Sequence, residues 1–169
     1  MTPGVLVVAL LQLGHPARSA ADVVRARLLA VQILDASERE DIDPVIVAAM
    51  IARESAFNAG ARGGADDLGL MQIRRGGAVV GAGEALTDAA LMLPPINLAF
   101  GVAYLARQRA ACARHGVTDP VSWISRYKGL AARPSRYSRG IVAAAARARA
   151  AMVRSSLARG ARPRELAAR

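Results

Sequence analysis

A single, mainly α-helical domain is what this sequence predicts, on three observations. Hydrophobic residues make up 53% of the chain and aromatics only 4%, with Ala supplying many of the former; Ala is the best helix former, and the aromatic and β-branched runs that mark strands are scarce. Two Asp-Pro pairs, Asp43-Pro44 and Asp119-Pro120, set a side-chain acceptor before a residue that needs no hydrogen-bond partner, the pattern of a helix start. At 169 residues there is room for one full-sized core and no reason to propose two.

Taken in order, the chain opens with VLVVALLQL at 5–13, an apolar run too short to anchor in a bilayer. GHPARSAAD follows, with small residues at Ala17, Ser19, Ala20 and Ala21. This pattern predicts a secretory signal peptide over 1–20, cut after Ser19 or Ala20, and no transmembrane anchor in the mature chain. The front end, MTPG, lacks the usual positive charge, so a buried first helix stays open as the alternative. Asp22 to Ala36 reads as an amphipathic helix with Val24, Leu28, Val31 and Leu34 or Asp35 marking its two sides.

From Asp43 the helix VIVAAMIARES is dense in apolar residues. Counting back three, four and seven residues from Glu54 gives Ile51, Met50 and Val47, so this carboxylate shares the face that should pack into the core. Burial disfavours the charged form of a carboxyl, which is how a general acid is kept protonated near neutral pH. FNAGARGGADDLG then reads as a wrapping loop and RRGGAVVGAGEALT as a mobile one. Pro94 and Pro95 end the next piece, Asn97 to His115 is the clearest long helix, and Gly116 stops it. VSWISRYKGL forms another helix, and Tyr137 to Val153 a last Ala/Arg helix that Gly160 and Pro163 break, leaving a frayed end. The domain is thus expected over 21–142, with an Arg/Ala-rich helix and tail over 143–169.

The net charge of +10 is concentrated in that tail: residues 1–125 carry 11 Arg against 12 acidic groups, and 126–169 carry 12 Arg or Lys against one Glu. Such a tail attracts a polyanion, whether nucleic acid, an anionic membrane face or an acidic cell-envelope polymer. Cys112, the single cysteine, excludes an internal disulfide and a Cys-based metal cluster, and its Ala neighbours favour a packed thiol.

ESAFN at 54–58, GLMQI at 69–73, NLAFGVAYL at 97–105, and RYKG at 126–129 followed by Tyr137 occur in the order and rough spacing of the soluble lytic transglycosylases. This chain resembles that peptidoglycan-cleaving branch of the lysozyme-like superfamily over about residues 40–142. The resemblance implies a lysozyme-like fold and cleavage of the bond between N-acetylmuramic acid and N-acetylglucosamine, with no metal or cofactor. It implies that Glu54 protonates the glycosidic oxygen and then takes the proton of the muramic acid 6-hydroxyl, giving a 1,6-anhydro end. Ser55 then matches the residue that holds or polarises the acid. Gly69, Leu70, Met71 and Gln72 match the loop lining the glycan groove, Asn97, Gly101 and Tyr104 the helix supporting the acid from behind, and Tyr127 and Tyr137 two aromatic positions on the far side of the groove.

The chain departs from the family's usual pattern at several points. Ala59 stands in place of Pro, Gly63 in place of Ser, Asp66-Asp67 in place of Gly-Ala, and RRGGA follows GLMQI; Lys128 replaces the Asn that normally follows Tyr127. Most glycosidases use two carboxylates, but substrate-assisted enzymes manage with one, and Asp66 and Asp67 read as turn residues. The expected partner is peptidoglycan in the cell envelope, in the periplasm or exported; nucleic acid is not expected. Compact members of this kind also resemble those that open the wall for a secretion or conjugation apparatus. Two alternatives remain: a hydrolytic muramidase, and a non-catalytic glycan or polyanion binder using the basic tail.

Overall fold

The computed structural model describes residues 1–64, 66–81 and 85–161. Seven α-helices are seen among them: α1 (Pro3–Gln12), α2 (Ala20–Arg39), α3 (Pro44–Ser55), α4 (Asp88–Met92), α5 (Pro94–Ala113), α6 (Pro120–Trp123) and α7 (Arg136–Ala161), with a 3₁₀ turn at Ile124–Lys128 between the last two. Extended backbone pairs only in isolated antiparallel bridges, Arg62 with Leu68 and Leu68 with Ile73, among the described residues.

Helix α3 is the centre of the molecule. It packs on α7, α2 and α1, and Val45 to Ile51 are buried without a break, so it is apolar on every side, as a central helix must be. Each fully buried Ile, Val or Met there contributes about 1.5–3 kcal/mol. Its start is as the Asp43-Pro44 pair predicts: the Asp43 carboxylate accepts the Val45 N–H at 2.8 Å. Asp119 caps the Ser122 N–H in the same way, also at 2.8 Å.

Several boundaries differ from the sequence reading for local reasons. Pro94 and Pro95 open α5 rather than closing the piece before it, because Pro in the first turn gives up an N–H that has no helical partner there. VSWISRYKGL is one α-helical turn followed by a 3₁₀ turn, stopped by Gly129 at φ +72°. Gly160 does not break α7, which runs through to Ala161; Pro163 and the expected frayed end lie outside the described residues. Residues past 142 belong to the packed body: Ala145, Ala148 and Met152 are buried.

On α2 the core face is Ala26, Leu29, Ala30, Ile33 and Ala36, while Val24, Leu28 and Val31 are exposed. Small Ala side chains, which periodicity discounts, let the neighbouring helices come close. The run at 5–13 forms α1 up to Gln12, with Leu6, Ala9 and Leu10 fully buried against α7 and α2. The expected cut sites fall at the start of α2, where Ser19 and Asp22 form a reciprocal capping box. No described helix is long and apolar enough to cross a membrane.

Candidate active site

Glu54 lies in the last turn of α3, on the face shared by Val47, Met50 and Ile51, all three fully buried. The helix ends one residue later, at Ser55, and Ala56 and Phe57 beyond it both adopt left-handed backbone, φ +49° and +64°, a conformation that costs a residue with a Cβ about 1–2 kcal/mol. The Glu54 side chain is only 4% exposed, yet its carboxylate is fully engaged. Tyr137 donates its hydroxyl to Oε1 at 2.5 Å, and the Lys128 ammonium donates to Oε2 at 3.1 Å. Burial first, and the adjacent Glu54 charge second, push the Tyr137 phenol far above its ordinary pKa, so it stays protonated and keeps donating. Ser55 faces away from this pair: its hydroxyl donates to the Ile51 carbonyl one turn back, at 3.2 Å.

The loop after α3 is folded by its own hydrogen bonds. Leu68 and Ile73 exchange both backbone bonds, at 2.9 and 3.0 Å, and the Gly69 N–H donates to Ala61 at 2.8 Å. Gln72, at φ +49°, donates its amide to the Gly69 and Ala61 carbonyls at 2.9 and 3.2 Å. The change from Ser to Gly63 has a steric cause here, since a Cβ at that position would sit 2.6 Å from Gln72 Oε1 and 2.9 Å from Asp67 Cβ.

Asn97 is the strut of this loop. Fully buried, it accepts the Met71 N–H at 2.8 Å and donates to the Leu68 and Leu91 carbonyls at 2.8 and 2.9 Å. Gly69, at φ +71°, leaves no room for a Cβ, which would lie 2.4 Å from Asn97 Nδ2. Gly101 does the same for Met71, whose sulfur would be 2.6 Å from an added Cβ. So Asn97 and Gly101 hold the loop, and the loop's Leu70 and Met71 turn inward, 2% and 0% exposed. An apolar sugar contact through the Met71 side chain is closed off by that burial.

Tyr127 is buried as well, and its hydroxyl donates to the Met71 carbonyl at 2.8 Å. Its ring meets Tyr104 edge to face at 5.3 Å, with the Arg107 guanidinium 5.5 Å above the Tyr104 ring. Burial, reinforced by the charges of Glu54, Tyr104 and Asp67, drives the Tyr127 phenol well above its usual value. The two tyrosines with Gln72, Ile73, Arg74, Gly76, Gly77, Ala78, Asp67, Lys128 and Gly129 line a cleft of about 430 Å³. Asp67 is taken up by Arg74, which grips it through two nitrogens at 2.9 and 3.3 Å.

The structure therefore brings Glu54 and Tyr137 into contact and makes Gln72, Tyr104 and Tyr127 walls of one cleft, while Ser55, Leu70 and Met71 turn away from it. Nothing local in the chain signals that Lys128 pairs with Glu54, 74 residues before it, or that Arg62 pairs with Asp88, at 3.1 Å. A carboxylate 4% exposed, held at one oxygen by a buried phenol, can give and take one proton without leaving its place.

Among families of known proteins, residues 32–132 match the transglycosylase SLT domain, a span that takes in Glu54, the loop, α5 and Tyr127 and stops short of Tyr137. No curated protein matches the chain.

Proposed function

Since the chain belongs to the transglycosylase SLT domain family, whose members act on peptidoglycan, we propose that it is a lytic transglycosylase that cuts the β-1,4 bond from N-acetylmuramic acid to N-acetylglucosamine. Glu54 is the single acid. Its proton passes to the glycosidic oxygen as the bond from that oxygen to C1 breaks. The carboxylate so formed takes the 6-hydroxyl proton while O6 bonds to C1, closing the 1,6-anhydro ring. One carboxylate serves both steps, and the acetamido group of the substrate supports the cationic centre between them. Tyr137 keeps the acid aimed by holding Oε1, and Gln72, Tyr104 and Tyr127 form the wall against which the sugar lies.

The observation that supports this reading best is the state of Glu54: a carboxylate 4% exposed at the end of a buried helix, bound to a phenol at 2.5 Å. Location in the cell envelope, in the periplasm or beyond, and local opening of the wall for a secretion or conjugation apparatus belong to the same proposal.

Digestion of purified sacculi, read by mass spectrometry, tests it. The wild type is expected to release fragments with 1,6-anhydro ends, and Glu54→Gln to lose that release by a factor of about 10²–10⁴ or more while its circular dichroism stays unchanged. Reducing ends in place of anhydro ends would make the protein a hydrolytic muramidase.

A further inference from the structure

Lys128 lies between the cleft and the acid. Its side chain is 40% exposed and lines the cavity, while Glu54 behind it is 4% exposed and outside that lining. The acid oxygen not held by Tyr137 is thus covered by an ammonium 3.1 Å away. An acid catalyst needs that oxygen free for its proton, so the pair has to separate before the reaction. Separation takes the counter-charge from an ammonium that is 40% exposed and lines the cleft, and a counter-charge that enters with the substrate favours it. Hydroxyls and acetamides of a glycan cannot supply one. A carboxylate can.

We propose that Lys128 is a specificity residue that caps Glu54 in the free protein and, when glycan enters, exchanges it for a carboxylate on the muramoyl arm of the substrate. This rests on the reading of the protein as a peptidoglycan-cleaving enzyme. Of the two cations that line the cleft among the described residues, Arg74 is occupied by Asp67 and Lys128 is the one bonded to Glu54, while Arg107 behind the wall reaches the Ala78 carbonyl at 3.0 Å. Lys128 is the last residue of the 3₁₀ turn, before Gly129 at φ +72°, and its unbranched stem has the freedom to move the ammonium into the cleft. Once it has moved, Oε2 is uncovered on the side of the cleft, where the glycosidic oxygen can reach it. The carboxylate has two sources, the free lactyl group of a muramic acid without peptide, or the acidic groups of an attached stem peptide.

The test uses the full chain and three preparations of glycan strand: peptide-bearing, peptide-bearing with its carboxylates amidated, and peptide-stripped with free lactyl groups. Both kcat/KM and binding by co-sedimentation are measured for the wild type, Lys128→Gln and Lys128→Arg. The wild type is expected to favour peptide-bearing over amidated strands by about 10-fold, the effect of one charged hydrogen bond. Lys128→Gln is expected to bring that ratio to about 1, and Lys128→Arg to restore most of it. Stripped strands favoured over both peptide-bearing and amidated ones assign the carboxylate to the lactyl group, which is an amide wherever a peptide is attached; stripped strands treated like amidated ones assign it to the peptide. A Lys128→Gln ratio equal to the wild-type ratio, or a wild type that favours neither peptide-bearing nor stripped strands over amidated ones, overturns the proposal. Binding separates the two readings: a charge preference in binding without cleavage sinks the enzymatic assignment alone, and cleavage without the preference sinks the role of Lys128 alone.

Discussion

Two regions beside the cleft are held by different forces. One is the buried seam of Asn97, Gly101, Met71 and Tyr127, where every polar group has a partner inside the protein and there is no room for an added methyl group. The other is the rim, where Arg74 grips Asp67, and Arg62 and Arg75 share Asp88. Its guanidinium groups are half exposed or nearly so, at 56%, 56% and 38%. The contrast separates precision from adjustment. The seam fixes where the loop backbone lies relative to α5, while the rim rests on ion pairs that water and salt weaken.

Three substitutions probe this contrast. The largest effect belongs to Asn97→Ala, which strips the side-chain partner from the Met71 N–H and the Leu91 carbonyl and leaves the Leu68 carbonyl with the Ile73 N–H alone; chemical denaturation should show a loss of about 3–5 kcal/mol, and turnover should fall with it as the loop loses its strut. Less is expected of Gly101→Ala. A new Cβ would press on both the sulfur and the Cβ of Met71, at 2.6 and 2.8 Å, and since the Cβ cannot swing aside the cost should be about 1–3 kcal/mol. Urea unfolding would measure it, and a stability equal to wild type would show that the seam has slack. The smallest belongs to Asp67→Asn at the rim, for which the unfolding midpoint should stay within error and sacculus digestion within a few-fold of wild type. Abolished turnover in that variant, with the fold intact, would make Asp67 a second catalytic carboxylate.

Glu54 and its helix were legible in the sequence because the signals are local. A cap, a proline and a spacing of three, four and seven residues are all set by the geometry of one helix, and they located both its start and its buried face. Residues 97 and 101 could be singled out by the family pattern, but not for what they touch. The resemblance put them behind the acid, whereas in the structure they hold the loop, a contact that spans 26 residues in the Asn97 to Met71 bond. Lys128 was harder still, since it stands where an amide is usual and nothing nearby in the chain announces its partner. On α2, hydrophobicity pointed at Val24, Leu28 and Val31, but the close approach of neighbouring helices favoured the alanines instead. Through Gly160 the helix simply continues, because one glycine costs about 1 kcal/mol in a helix, less than a long helix can absorb.

The left-handed pair at Ala56 and Phe57 has a consequence for how this domain has been tuned. Glycine would relieve the backbone at position 56, and the same freedom would loosen the joint from which Glu54 is presented. A residue with a side chain leaves fewer bends open, and the packing around the turn holds it in this one. The domain gives up some folding stability there for sharper aim, so selection for thermal robustness alone would be expected to reach this turn early, and to blunt the acid in doing so.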